Sequence, residues 1–344
     1  MPSSQPGFFD LSNRFEALSR HGDPLEALNA AIDWEAFRPT LRAALKKAEP
    51  RKSEAGRKPY DPVLMLKVLM LQHLYGLSDH ETQRQILDRL SFMRFLGLNL
   101  HAQVPDEKTV WLFRDTLGEK GVRKLFARFN AGLEAKGLRA EKGQMVDATI
   151  VERPRQKGLS SNEKISKEAA QPDPAKSEAV QRQRDTDAEW TEKHGRVYYG
   201  YKNHVNADRR YKLIRTYEVT TASVHDGTML EAVLDPKNHG RSVWADSAYR
   251  SANNAELLAE KELVDRIHHR AWRDHPLTAA QEATNQRRSR IRARIEHVFG
   301  GFFQRLPSKR IRCVGLARAA AVIGLKNLVY NLTRSVFLLK ERTA

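Results

Sequence analysis

The spacing of apolar residues changes from helical to strand-like at Gly143, and this switch limits the chain to a helical leading region followed by a mixed α/β region. Upstream, Asp61-Pro62 sets an N-cap and a first helical residue. The run Val63, Leu64, Leu66, Val68, Leu69, Met70 and Leu71 that follows is too apolar all round for a surface helix, so a core helix is expected. Gly76 stops it, and Ser78-Asp79-His80-Glu81 is a capping pattern that starts a second helix, Asp79 to Leu90. Two helices joined by a short Gly-containing turn resemble a helix-turn-helix arrangement, although most such pairs are plain packing units. After Pro105-Asp106, Lys108, Thr109, Arg114 and Lys120 alternate with Val110, Trp111, Phe113 and Leu117 along an amphipathic helix. Its polar side suits DNA phosphates or is an ordinary solvated basic face.

Downstream of Gly143, Met145 to Val151 reads as a strand, with Met145, Asp147 and Thr149 on one face and Val146, Ala148 and Ile150 on the other. From Arg153 to Lys193 the chain has almost nothing to bury, which predicts a mobile insertion with a short helix around Ser177 to Trp190. A hairpin follows, Val197 to Val205 returning through Tyr211 to Thr221. Next come a helix near Thr228 to Leu234, a strand ending at Asp246, a helix from Ala252 to Glu260, a strand around Leu263 to His268, and long helices reaching Leu339. That order predicts an RNase H-like mixed-sheet core. Such a core places one acid on its first strand, a second just beyond its fourth and a third on a later helix. The length of 344 residues favours two domains, since single cores rarely grow beyond about 250 to 300 residues. The expected division is 1–138, a helical domain for DNA binding or dimerisation, and 139–344, a catalytic domain carrying the polar insertion at about 153–195.

A formal charge of +17 exceeds what solubility needs and points to a polyanionic partner. Three carboxylates supply chemistry: Asp147 in Met145-Val146-Asp147-Ala148, Asp246 at the end of Ser242-Val243-Trp244-Ala245-Asp246, and Glu296 in Arg292-Ala293-Arg294-Ile295-Glu296. Gathered together they would repel unless cations filled the pocket. Hard oxygen ligands suit two Mg²⁺ ions, with Mn²⁺ able to substitute, for phosphodiester cleavage. Each acid alone has a plain alternative. Asp147 could pair with an arginine, Asp246 could cap the turn Ser247-Ala248-Tyr249-Arg250, and Glu296 could pair with Arg292 one turn earlier. On the last helix Ile291, Ile295, Val298, Phe299 and Phe302 form the buried stripe, and Glu296 falls roughly 100° from its centre. Asp226 is read as a helix cap. The single cysteine, Cys313, excludes an internal disulfide and fits a reducing compartment, and the Cys and His cluster of a structural zinc site is missing. His268-His269, the closest His pair, point to opposite faces of a strand. Met1 to Asp10 does not read as a secretory signal and no run of 18 apolar residues occurs, so a cytoplasmic, nucleoid-associated protein with no membrane partner is expected.

Taken in order, Val146-Asp147-Ala148-Thr149-Ile150, Tyr199-Gly200-Tyr201-Lys202, Val224-His225-Asp226, Ala245-Asp246-Ser247-Ala248-Tyr249 and Arg292 to Gly300 resemble the DDE transposases of bacterial insertion sequences, specifically the insertion-sequence-five family. The leading region shares the likeness through Tyr60-Asp61-Pro62-Val63, Leu74 to Asp79, Phe95 to Leu98 and Val104 to Arg114. The resemblance implies a metal-dependent transposase that binds terminal inverted repeats, cleaves the element ends and joins the 3′-hydroxyls to target DNA. It implies Asp147, Asp246 and Glu296 as catalytic metal ligands and Arg292 as the helix arginine beside the glutamate. Lys202, Tyr249, Arg288 and Trp190 are the further expected DNA contacts. Ser289 and Phe303 stand where the related signature often has Tyr and Lys, and Arg305 or Lys309 could replace them. Joining two DNA ends implies a homodimer or higher oligomer. The competing readings are a catalytically inactive, sequence-specific DNA-binding protein with a DDE-like core, and a structure-selective RNase H-like nuclease.

Overall fold

The computed structural model describes residues 9–46, 58–154, 185–193, 195–273, 275–305 and 310–343. By contact the chain divides into two units, 1–125 with 332–344, and 126–331.

In the first unit the helices are α1 (Asp10–Arg20), α2 (Pro24–Ala31), α3 (Arg38–Leu45), α4 (Pro62–Tyr75), α5 (Asp79–Asp88), α6 (Leu90–Leu96) and the start of α7 (Glu107–Ala135). The start signals act as read. The Asp61 carboxylate accepts from the N–H groups of Val63 and Leu64, and Ser78 Oγ accepts from Glu81 N–H at 3.1 Å. Gly76 ends α4 in the left-handed conformation, φ 64°. The second helix stops sooner than expected, at Asp88, because Arg89 is extended and starts α6. There its guanidinium lies over the rings of Tyr75 and Phe92. On α7 two expectations change. Arg114 turns inward to bond Gln72 and Asp79, at 2.7 to 2.9 Å, and Trp111 is exposed rather than on the packed side. Gly118, with φ 57° and ψ −175°, interrupts the helix.

The second unit is built on a six-stranded mixed sheet of β1 (Gln144–Glu152), β2 (Glu189–Lys193), β3 (Arg196–Asp208), β4 (Ile214–Thr221), β5 (Ser242–Trp244) and β6 (Val264–Asp265). The long strand β3 pairs antiparallel with β1 along one edge, and shares its other edge between β2 and β4. Strands β5 and β6 continue beyond β1 in parallel. One sheet face packs on α8 (Leu230–Val233) and α9 (Ala252–Glu260), enclosing Val146, Leu230, Val233, Val243, Ala245, Tyr249, Leu258 and Ile267. The other faces α10 (Ala279–Arg305) and α11 (Leu316–Thr343), where Asn203 and Asn327 exchange buried amide bonds. Gly200 must lack a side chain: its φ is 149°, and a Cβ would meet Val151 O at 2.3 Å.

Two elements differ from expectation. Strand β6 has two residues, although Arg266 N–H and His268 N–H still donate to Val243 O and Ala245 O beyond it, and the Arg250 guanidinium bonds Asp265 and His268 O along the same stretch. The tail of the expected insertion is β2, so Trp190 sits in a strand and not in a helix, with its ring 4.9 Å from that of Tyr199 across the ladder. The rest of that expectation, residues 155–184, lies outside the described residues. The chain either side of it is joined by a buried ion pair, Arg153 Nε to Asp185 Oδ2 at 2.9 Å, with Tyr201 Oη donating to both Asp185 oxygens.

Candidate active site

Alternation along β1 turns Asp147 to the α10 side, away from the apolar cluster that holds Val146. Its side chain is 12% exposed, and Oδ1 accepts from the adjacent Ala148 N–H at 2.8 Å. In the parallel β1–β5 ladder Gln144 faces Val243 and Met145 faces Trp244. Continuing that register two residues aligns Asp147 with Asp246, which stands where the chain leaves β5. Neighbouring strands lie about 4.8 Å apart, so the two acids belong to one locality. Their electrostatics agree. Burial first, and the Asp246 carboxylate second, push the Asp147 carboxyl up to about 6, against the Ala148 N–H and the charges of Arg292 and Lys193. Asp246 Oδ1 accepts from Ala148's counterpart in the following turn, the Ala248 N–H, at 2.9 Å. The cap expected as its plain alternative is therefore present alongside the acidic neighbour.

The third acid arrives on α10. Ile295, Val298 and Phe299 are buried, whereas the Glu296 side chain is 61% exposed at the border of that stripe. Arg292 links it to the first acid: Nη1 lies 3.3 Å from Asp147 Oδ2 and Nη2 lies 3.2 Å from Glu296 Oε1. The guanidinium thus supplies positive charge between two acids that the sequence reading assigns to metal. Among the described residues no group of three His, Cys, Asp or Glu side chains is gathered closely enough to hold an ion. The donor set nevertheless fits a divalent cation. Asp147, raised first by burial and then by the neighbouring Asp246 carboxylate, offers with it hard oxygens whose charge a cation would offset.

Other expected contacts fall differently. Tyr249 has no exposed surface; it is part of the core, which corrects its assignment to the DNA. Burial first, then the charges of Asp147, Asp226 and Asp246, hold its phenol well above the usual value. Lys202 lies opposite Ile150 in the β1–β3 register, so it points away from the Asp147 face. It is buried, 2.9 Å from Asp226 Oδ1 and 2.7 Å from Val224 O, not a solvent-facing DNA contact. The cap expected at Asp226 belongs to His225, whose Nδ1 accepts from Gly227 N–H. Arg288, one turn before Arg292, is half-buried and donates to Ile267 O. Burial lowers the pKa of its guanidinium. His268 lies 3.4 Å from Ser289 Oγ, and burial, then the charge of Arg292, lowers its pKa. The side chains of Phe303 and Arg305, and the whole of Lys309, lie outside the described residues. Sequence reasoning missed Asn254, whose buried amide bonds both Gly227 O and Tyr249 O. Only its place in α9, just after the acid-bearing turn, could have suggested it.

An acid on a first strand, an acid past a neighbouring parallel strand and an acid on a later helix follow the order expected of a DDE-type core. Residues 139–332 match the family described as Transposase DDE domain, and residues 13–116 match Transposase domain (DUF772). The chain belongs to the DDE transposases of insertion sequences and is a DNA transposase. Its fold is similar to a solved structure described as the cryo-EM structure of piggyBac transposase synaptic complex with hairpin DNA. The TM-score is 0.50 at 11% identity, over 93% of this chain and 76% of that one. The fold class is the expected one, a mixed α/β core of the RNase H-like type with a helical N-terminal region. No described helix is long and apolar enough to cross a membrane.

Proposed function

We propose that this transposase binds the terminal inverted repeats of its own insertion sequence, hydrolyses the phosphodiester bond at each end and transfers the 3′-hydroxyls into target DNA. The observation that carries this reading is the nearness of Asp147, within β1, to Asp246, just past the end of the neighbouring β5, with Asp147 buried and raised to about 6. DDE domains generally use divalent metals. Here Asp147, Asp246 and Glu296 would hold Mg²⁺, with Mn²⁺ able to substitute, and two such ions supply an activated nucleophile and stabilise the leaving oxygen.

The side chains then divide the work. Asp147 is held in place, because it pairs with Val205 of β3, β5 flanks the other edge of its strand at Gln144 and Met145, and its Oδ1 is fixed by a main-chain N–H. Glu296, exposed on α10, is free to swing by rotamer change as Arg292 releases it. The released guanidinium, with Arg288 one turn away, takes DNA phosphate oxygens, for which its planar fork is suited. Trp190, on the outermost strand beside β3, is a further contact. The leading residues 1–138 form the DNA-binding or dimerisation domain in this reading. Synapsis of two ends calls for at least a homodimer, acting in the cytoplasm at the nucleoid.

Supercoiled plasmid carrying the DNA that flanks the gene should be nicked or joined with Mg²⁺ or Mn²⁺, and Asp147→Ala, Asp246→Ala and Glu296→Ala should each abolish this. Cleavage persisting in all three variants rejects the assignment. A second reading, a DNA-binding protein whose core does not cut, draws on the Arg292 ion pairs to both Asp147 and Glu296. Tight end binding without cleavage under any divalent cation would establish it.

A further inference from the structure

The turn that carries Asp246 is held from behind by residues outside the acidic trio. Asn254, 9% exposed in α9, donates through one amide nitrogen to Gly227 O at 2.9 Å and Tyr249 O at 2.8 Å. It therefore ties the His225–Gly227 loop to the Asp246–Tyr249 turn. The contact is close: a Cβ on Gly227 would meet Ala248 O at 2.6 Å, and Ala248 supplies the N–H that fixes Asp246 Oδ1. The loop itself is anchored to the sheet, because Lys202 on β3 pairs with Asp226 at 2.9 Å and bonds Val224 O at 2.7 Å. A continuous run of polar bonds thus leads from the centre of the sheet, through the loop and Asn254, to the main chain that aims Asp246. Strand β5 ends at Trp244, and the last main-chain bond from the neighbouring segment, His268 N–H to Ala245 O at 3.1 Å, stops one residue short of Asp246.

We propose that Asn254 and the His225–Gly227 loop, anchored by the Lys202–Asp226 pair, are positioning elements that aim the Asp246 carboxylate for divalent-cation binding. The inference rests on the reading of Asp246 as a metal ligand. Partners that orient a ligand from behind typically change metal affinity or activity 10 to 100-fold when removed. Lys202 and Asp226 thereby gain a role that neither a DNA contact nor a helix cap describes.

The test is an electron-spin-resonance titration of free Mn²⁺ against the full chain without DNA, with circular dichroism confirming each variant is folded. Asn254→Leu, of similar size but without donors, should weaken Mn²⁺ binding about 10 to 100-fold. Asn254→Gln, which keeps the amide, should recover part of the loss, and Gly227→Ala should weaken binding by pressing on Ala248 from the other side. Leu258→Ala, in the same helix and fully buried, should lower stability and leave Mn²⁺ affinity unchanged. Folded Asn254→Leu and Gly227→Ala variants that bind Mn²⁺ like the wild type overturn the proposal. Should either fail to fold, Lys202→Met decides in its place: it removes the anchor together with a positive charge, so weaker Mn²⁺ binding can be ascribed to lost positioning and unchanged or tighter binding overturns the proposal. If the wild type binds no Mn²⁺, or Asp246→Asn leaves binding intact, it is the metal-ligand reading that fails.

Discussion

Replacing Asp147 with Asn should make this enzyme more stable at neutral pH while removing its activity. Burial and Asp246 raise the Asp147 carboxyl from 3.8 to about 6, so between those values the folded chain holds a proton that the unfolded chain has released. Stability therefore falls as pH rises through that window, and above it the wild type carries the full cost of a buried, repelled anion. A difference of roughly two pH units at about 1.4 kcal/mol each gives about 3 kcal/mol. Asn keeps the shape and cannot ionise, so the variant escapes the cost. Denaturant titration of both proteins in chelator, at several values from about pH 4 to about pH 8, measures it. The difference should be near zero at the acid end, where both forms are neutral, and reach about 3 kcal/mol in favour of Asn above pH 7. Saturating Mg²⁺ should restore the wild type and not the variant. An Asn variant that is less stable than the wild type at pH 8 in chelator, or whose advantage does not shrink towards pH 4, refutes the reasoning.

Arg292→Ala should tighten Mn²⁺ binding in the absence of DNA by several-fold, because the cation paired with Asp147 and Glu296 is gone, while end cleavage is lost; weaker Mn²⁺ binding, read by the same titration, would contradict this. Gly200→Ala should destabilise the sheet unit by about 1–3 kcal/mol in denaturant titration, since the new Cβ has no room against Val151 O and the residue has φ 149°. In the leading unit burial opposes the charge on Asp79, but the bonds from Arg114 and Gln72 outweigh it and lower its pKa. The stability this contributes is present above the unfolded value and lost as pH falls through the folded one. Asp79→Asn should cost about 1–3 kcal/mol at neutral pH and flatten the acid limb of a thermal-shift profile.

What could be read from sequence was what is local. Asp61-Pro62, Ser78 and Gly76 act within a few residues of themselves, and each sets a helix end as expected. The three acids stand out in the sequence because they sit in apolar strands or beside a buried stripe, where a charge needs a reason. Partners distant along the chain were not legible. Lys202 and Arg114 have the composition of a basic surface, yet each is drawn inward by a single aspartate that no spacing reveals. Tyr249 belongs to a motif with Asp246, but its place within the motif does not say that its ring fills the core. Arg89, extended between α5 and α6, lies over the rings of Tyr75 and Phe92, and Glu189 to Lys193 pairs with the edge of β3, contacts that no local spacing reveals.

Arg292 and Asp147 meet across a separation of 145 residues, and the contact forms only once nearly the whole sheet unit has been made. A chain still emerging from the ribosome, or one cut short before α10, owns two acids and lacks the third. On the proposed reading, a product that stops before α10 would lack both Glu296 and the Arg292 bridge to Asp147, and so could not cut DNA.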